Sequence, residues 1–171
     1  MARDTGNGIP LYGIRRDGLR VVTGGQSGVD RAALDAALDG GVPCGGRCPA
    51  GRWAEDGPIS ARYQLVETPE ADPEFRTWRN VVDGDGTLII IHGGTDPGTR
   101  ITIAAVRDFG STYFALDLLK MDNATAVAKV AAWIAQENIR ILNIAGPRES
   151  NAPGIYARAF AFLTKLYAAL T

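Results

Sequence analysis

Residues 19–41, LRVVTGGQSGVDRAALDAALDGG, hold the order of elements that decides the fold. Leu19 to Thr23 is a short β-branched run that stops at Gly24-Gly25, which reads as a strand followed by a tight turn. From Val29 to Leu38 the apolar residues Leu34, Ala37 and Leu38 share one helical face, and Gly40-Gly41 stops the helix. Strand, glycine turn and helix in that order form the opening half of a βαβ unit.

The same order recurs along the chain. Val42 to Cys44 reads as a second strand, followed by a polar glycine- and proline-rich loop over residues 45–60. Tyr63 to Glu67 is the third strand. Asp72 then caps a helix with Pro73 at its first position, running towards Val82. Thr87 to Ile91 (TLIII) is almost wholly apolar, as a parallel strand covered on both faces requires.

After a glycine loop from His92 to Gly98, a helix is expected from about Thr99 to Asp108, and a strand from Tyr113 to Leu116. Asn123 opens a helix with Val127, Val130, Ala131 and Ile134 at helical spacing. Ile139 to Ala145 makes the sixth strand. A final helix beginning near Pro153 carries Ile155, Ala159, Phe162, Leu163, Leu166 and Leu170 on one stripe. The alternation predicts an α/β fold, a doubly wound and mostly parallel sheet with helices on both faces. Residues 1–18 read as a lead-in and residues 19–171 as one domain.

Composition narrows the function. The 171 residues carry 18 basic and 19 acidic side chains, a net charge of −1, so no basic field speaks for nucleic acid. No apolar run approaches a membrane span and no secretory h-region opens the chain, which points to the cytoplasm. Cys44 and Cys48 with the lone His92 cannot complete a zinc site. The two thiols read as ordinary reduced cysteines; a disulfide across Gly45-Gly46, or contact with a soft ligand, is the alternative.

In doubly wound sheets ligands bind beyond the carboxyl ends of the strands. That rule selects three loops. In the first, Gly24, Gly25, Gln26, Ser27, Gly28 and Asp30 join a strand to a helix start whose free amides and dipole favour an anion. A plain capped turn is the competing reading. The acid that a dinucleotide fingerprint needs about 20 residues further on is replaced by Gly45-Gly46-Arg47.

In the second loop, Gly93, Gly94, Thr95, Gly98 and Thr99 open another helix without the Gly-Lys-Ser/Thr ending of a Walker loop. Between the two lies a charged loop. There Arg52 can pair with a phosphate, Trp53 can stack on a heteroaromatic ring, and Glu55 and Asp56 add carboxylates. Arg76, Trp78 and Asn80 offer a similar mixture, and Arg148 stands on a possible fourth rim. For each, surface solubility or capping is the alternative.

TGGQSGVDRAALDAAL, GGRCPAGRWAEDGPISARYQLVET, RTWRNVVDGDGTLII and LNIAGPRESNAPGIY together resemble the molybdenum-cofactor carrier family, from about Leu19 to the carboxyl terminus. The resemblance implies a Rossmann-like fold related to the nucleoside-monophosphate phosphoribohydrolases and the DNA-processing protein A group. It also implies a homodimer or homotetramer. The implied ligand is molybdenum cofactor, molybdopterin, a pterin with a dithiolene-bound molybdenum and a terminal phosphate. The chain departs from the phosphoribohydrolases, because Gly98-Thr99 is followed by Arg100-Ile101-Thr102 and not by their catalytic glutamate. A carrier is therefore expected, with hydrolysis of a nucleotide N-glycosidic bond as the alternative.

Overall fold

The computed structural model describes residues 18–171, so the lead-in expected over residues 1–18 lies outside them except for Gly18. Six strands form one parallel sheet: β1 (Arg20–Val22), β2 (Cys44–Cys48), β3 (Leu65–Glu67), β4 (Gly86–Ile91), β5 (Thr112–Asp117) and β6 (Ile141–Ala145). Their order is β3-β2-β1-β6-β4-β5, with every described pairing parallel. Four helices connect strands, α1 (Val29–Asp39), α2 (Pro73–Asp83), α3 (Pro97–Phe109) and α4 (Asn123–Gln136), and α5 (Ile155–Leu170) follows β6. This is the expected Rossmann-like α/β fold.

Right-handed crossovers place the helices. The β1-to-β2 and β5-to-β6 connections run one way across the sheet, and α1, α4 and α5 pack together on that face. The β3-to-β4 and β4-to-β5 connections run the other way, so α2 and α3 pair on the opposite face. β4 shows the consequence within a single strand. Leu88 and Ile90 enter the large core with Leu142, Ile144, Phe162 and Leu166, while Ile89 meets Val81, Ala105 and Val106 beneath α2 and α3. A strand covered on both faces has no polar side, which is why TLIII is unbroken.

The helix starts follow their capping residues. The Asp72, Asp96 and Asp122 side chains accept from the amides of Glu74, Thr99 and Thr125. Pro97 opens α3, which therefore begins two residues before the expected Thr99.

β2 is the element that departs most from expectation. It runs over CGGRC, most of which reads as loop, and not over Val42 to Cys44. Glycine and arginine have little strand preference of their own, but pairing with β1 and β3 holds this segment extended. A Cβ on Gly46 would lie 2.2 Å from the Thr23 carbonyl, so the close approach to the end of β1 requires glycine. Along a strand, residues four apart are separated by about 13 Å, too far for a disulfide. Cys44 and Cys48 are both free thiols buried in the core, and burial pushes the Cys44 thiol up to about 11.

Candidate functional site

The strand order turns around β6, which lies between β1 and β4. At the carboxyl ends of these three strands is a recess of about 70 Å³. Gly24, Gln26 and Asp30 line it from the β1–α1 turn, Asp96, Gly98 and Thr102 from the β4–α3 side, and Asn143, Gly146 and Arg148 from β6 and its loop. Arg76 and Asn80 reach it from α2.

Arg76 dominates the recess. Its side chain is buried, with Nη1 3.3 Å from Oδ2 of Asp30 and Nε donating to the Pro73 carbonyl at 3.4 Å. Burial holds the Asp30 carboxyl above its usual range, with Arg76 opposing the shift; burial likewise lowers the Arg76 guanidinium, with Asp30 opposing. Arg76 enters because residue 24 is glycine: a Cβ there would meet Nη1, Cζ and Cδ of Arg76 within 2.8 Å. The two arginines and two aspartates at the recess balance in formal charge.

The first glycine loop is built differently from the expected cradle of free amides. Gln26 N donates to Asp30 Oδ2, Ser27 N to the Gln26 side-chain oxygen, and Val29 N to the Pro147 carbonyl at 3.2 Å. These three amides are already partnered within the protein. Gly28, at φ +76°, admits the 147–149 backbone, since a Cβ would lie 2.4 Å from the Pro147 oxygen. Gly25 packs against Leu65 and Ile59 in the same manner.

The charged loop closes on this turn from outside the recess. Glu55 accepts from Ser27 Oγ, from Ser150 N at 3.1 Å and from Ser150 Oγ at 2.5 Å, with Arg148 3.9 Å away. Burial pushes the Glu55 carboxyl up, but the hydrogen bonds from Ser150 and Ser27 outweigh it and the net shift is downward. Asp56 pairs with Arg31 at 3.0 Å.

Arg52 is engaged within its own loop: its guanidinium donates to the carbonyls of Ile59, Ser60, Tyr63 and Leu65. Asn80 lines the recess, yet its amide oxygen and nitrogen bond the backbone N–H and C=O of Arg47 at 2.8 and 3.0 Å. β1 ends at Val22, the partner of Gly45, and Asn80 supplies Arg47 with partners on the side that β1 has left.

The second glycine loop contributes less than its composition suggests. Gly93 donates to Asp117, the Thr95 carbonyl accepts from Arg100, and the Thr99 amide and hydroxyl both go to Asp96. Gly93, Gly94 and Thr95 are exposed and do not line the recess, whereas Gly98 does. Asp96 also accepts from Asn151 at 2.8 Å, which joins the loops after β4 and β6. Asp96 and Asn143 went unread in the sequence. The signal for Asn143 is an amide alone in the apolar strand ILNIA; it donates to Thr87 at 3.2 Å and is buried at the recess.

Among the described residues, no helix is long and apolar enough to cross a membrane. No group of three or more His, Cys, Asp or Glu side chains among them is placed to hold a metal ion. No curated protein matches the chain significantly. A crystal structure at 1.45 Å, described as "Putative molybdenum carrier protein" from Syntrophus aciditrophicus SB, shares 38% identity with a TM-score of 0.83, covering 86% of this chain and 93% of its own. The model of the circularly permutated YpsA SLOG family matches residues 21–167, which include every residue at the recess. On that match, and in agreement with the motifs, this chain belongs to the circularly permutated YpsA SLOG family.

Proposed function

We propose that this protein binds and carries a phosphate-bearing small molecule, and that the molecule is molybdenum cofactor. One observation carries the reading: the Arg76 guanidinium is buried at the recess beside Gly24, with Nη1 on Asp30 and Nη2 without a described partner. A planar guanidinium held in place by burial and an ion pair suits recognition of a tetrahedral oxyanion. Gly98, near the start of α3, and Arg148 stand at the same recess and favour the same charge.

A recess of about 70 Å³ takes the phosphate end of such a ligand and leaves its body at the rim. A carrier needs donors and shape complementarity, not a proton-transfer group. The name of the Syntrophus structure supports the choice of cargo. Assembly as a homodimer or homotetramer belongs to the same proposal. It draws on Trp78 and Phe109, which meet edge to face at 6.5 Å on α2 and α3 and are both exposed.

The test is purification from a cofactor-producing host, denaturation, oxidation of the released material, and assay of pterin fluorescence with nucleotide content by mass spectrometry. Pterin retained by the native protein and lowered at least tenfold in Arg76→Lys supports the carrier. A retained nucleotide or free base without pterin overturns it.

A second reading, cleavage of a nucleotide N-glycosidic bond, draws on Asp30. Its buried carboxyl at the recess has the raised proton affinity that a general acid or base needs. Asp30→Asn separates the two: a carrier loses affinity, whereas an enzyme loses turnover and keeps its ligand.

A further inference from the structure

The recess is open on one side, so a ligand whose phosphate meets Arg76 extends from it across the rim. There Arg148 links the recess to Trp53. It lines the recess, and its guanidinium carbon lies 5.9 Å from the Trp53 ring centroid.

Trp53 is 49% exposed, yet its loop is held on both sides. Arg52 before it is tied to four carbonyls, Ala54 after it is buried, and the Glu55 amide donates to the Gln26 side chain at 2.9 Å. A lone exposed apolar side chain calls for no explanation. This one is a large indole on a braced segment, held beside a guanidinium that borders the candidate phosphate site.

Resting on the phosphate reading, we propose that Trp53 and Arg148 form a platform for a flat heteroaromatic ring. The preferred ligands of this site are then ring-bearing phosphates, not sugar phosphates or free phosphate. Indole and guanidinium both present planar faces on which such a ring stacks, and neither reads its edge. The platform therefore selects for the presence of a ring and tolerates its exact substitution. Stacking of one base on an aromatic side chain is worth about fivefold in affinity at the lower end of its range and roughly a hundredfold or more at the upper end.

The probes are guanosine 5′-monophosphate, which carries a fused pyrimidinone ring, and ribose 5-phosphate, which lacks one, titrated calorimetrically into the full chain. The native protein binds the nucleotide at least tenfold more tightly than the sugar phosphate. That ratio falls towards unity in Trp53→Ala and is largely kept in Trp53→Phe. Equal affinity for the two probes overturns the platform and leaves the phosphate site standing. A tenfold ratio unchanged in a folded Trp53→Ala places the ring elsewhere and also overturns it. Binding of neither probe overturns the phosphate reading, and the platform falls with it.

Discussion

A Cβ on Gly24 would lie 1.6 Å from Nη1 of Arg76, so the guanidinium occupies the space that any other residue at position 24 would need. The glycine at the end of β1 therefore admits a side chain from α2, 52 residues later in the chain. Through it the first turn of the fold is joined to the charge at the recess.

Gly24→Ala is expected to displace Arg76 and leave Asp30 without its counter-charge. Overpacking alone costs about 1–3 kcal/mol, and an unpaired buried charge adds to it. In an Arg76→Ala background the same glycine substitution costs much less, because the clash is gone. Urea unfolding of the four proteins in this cycle checks the coupling. Additive losses would contradict it.

Asn80→Leu keeps the side-chain volume and removes both bonds to the Arg47 backbone. Each orphaned buried backbone group costs about 1–3 kcal/mol. Hydrogen exchange at the Arg47 amide is expected to accelerate more than at Val21, in the middle of the sheet. Equal acceleration at both would mean that Asn80 acts on global stability alone.

Arg52→Lys is expected to open the 49–63 loop to limited proteolysis almost as fully as Arg52→Ala, since an ammonium cannot span four carbonyls as the guanidinium fork does. If Arg52→Lys instead resists the protease like the native chain, charge and not the fork braces the loop.

Asp96 yields a pH dependence. Burial pushes its carboxyl up, but the Thr99 hydroxyl, Asn151 and the Thr99 amide outweigh burial, and the net shift is downward. A carboxyl depressed in the folded state stabilises fully above its unfolded value, near 3.9, and loses that contribution as pH falls through the folded value. The stability gap between native protein and Asp96→Asn should therefore be constant near pH 6 and shrink below about pH 4. Denaturant melts across that range decide it, and a gap that widens in acid would reverse the assignment.

Much of the candidate site's position was legible before its contents were. The β1 turn, the helix start at Asp72 and the apolar β4 strand are local patterns. With the rule that ligands sit at the carboxyl ends of parallel strands they select the end of the sheet where the recess lies. The roles within the site were less legible. Arg52 and Arg76 look alike in sequence, both arginines near a tryptophan. One is tied to backbone carbonyls and the other stands at the recess, because hydrogen-bond partners are set by residues far along the chain.

The sequence by itself determined the alternation of strand and helix, the two apolar faces of the sheet, and the family. Each is written in short-range periodicity and contiguous motifs. The tertiary structure decided the extension of β2 through CGGRC, the internal partners of the first glycine loop, and the meeting of Gly24, Asp30 and Arg76. The physical reason is range. Periodicity acts over a few residues, whereas strand pairing and burial of a charge depend on which distant segments the completed sheet brings together.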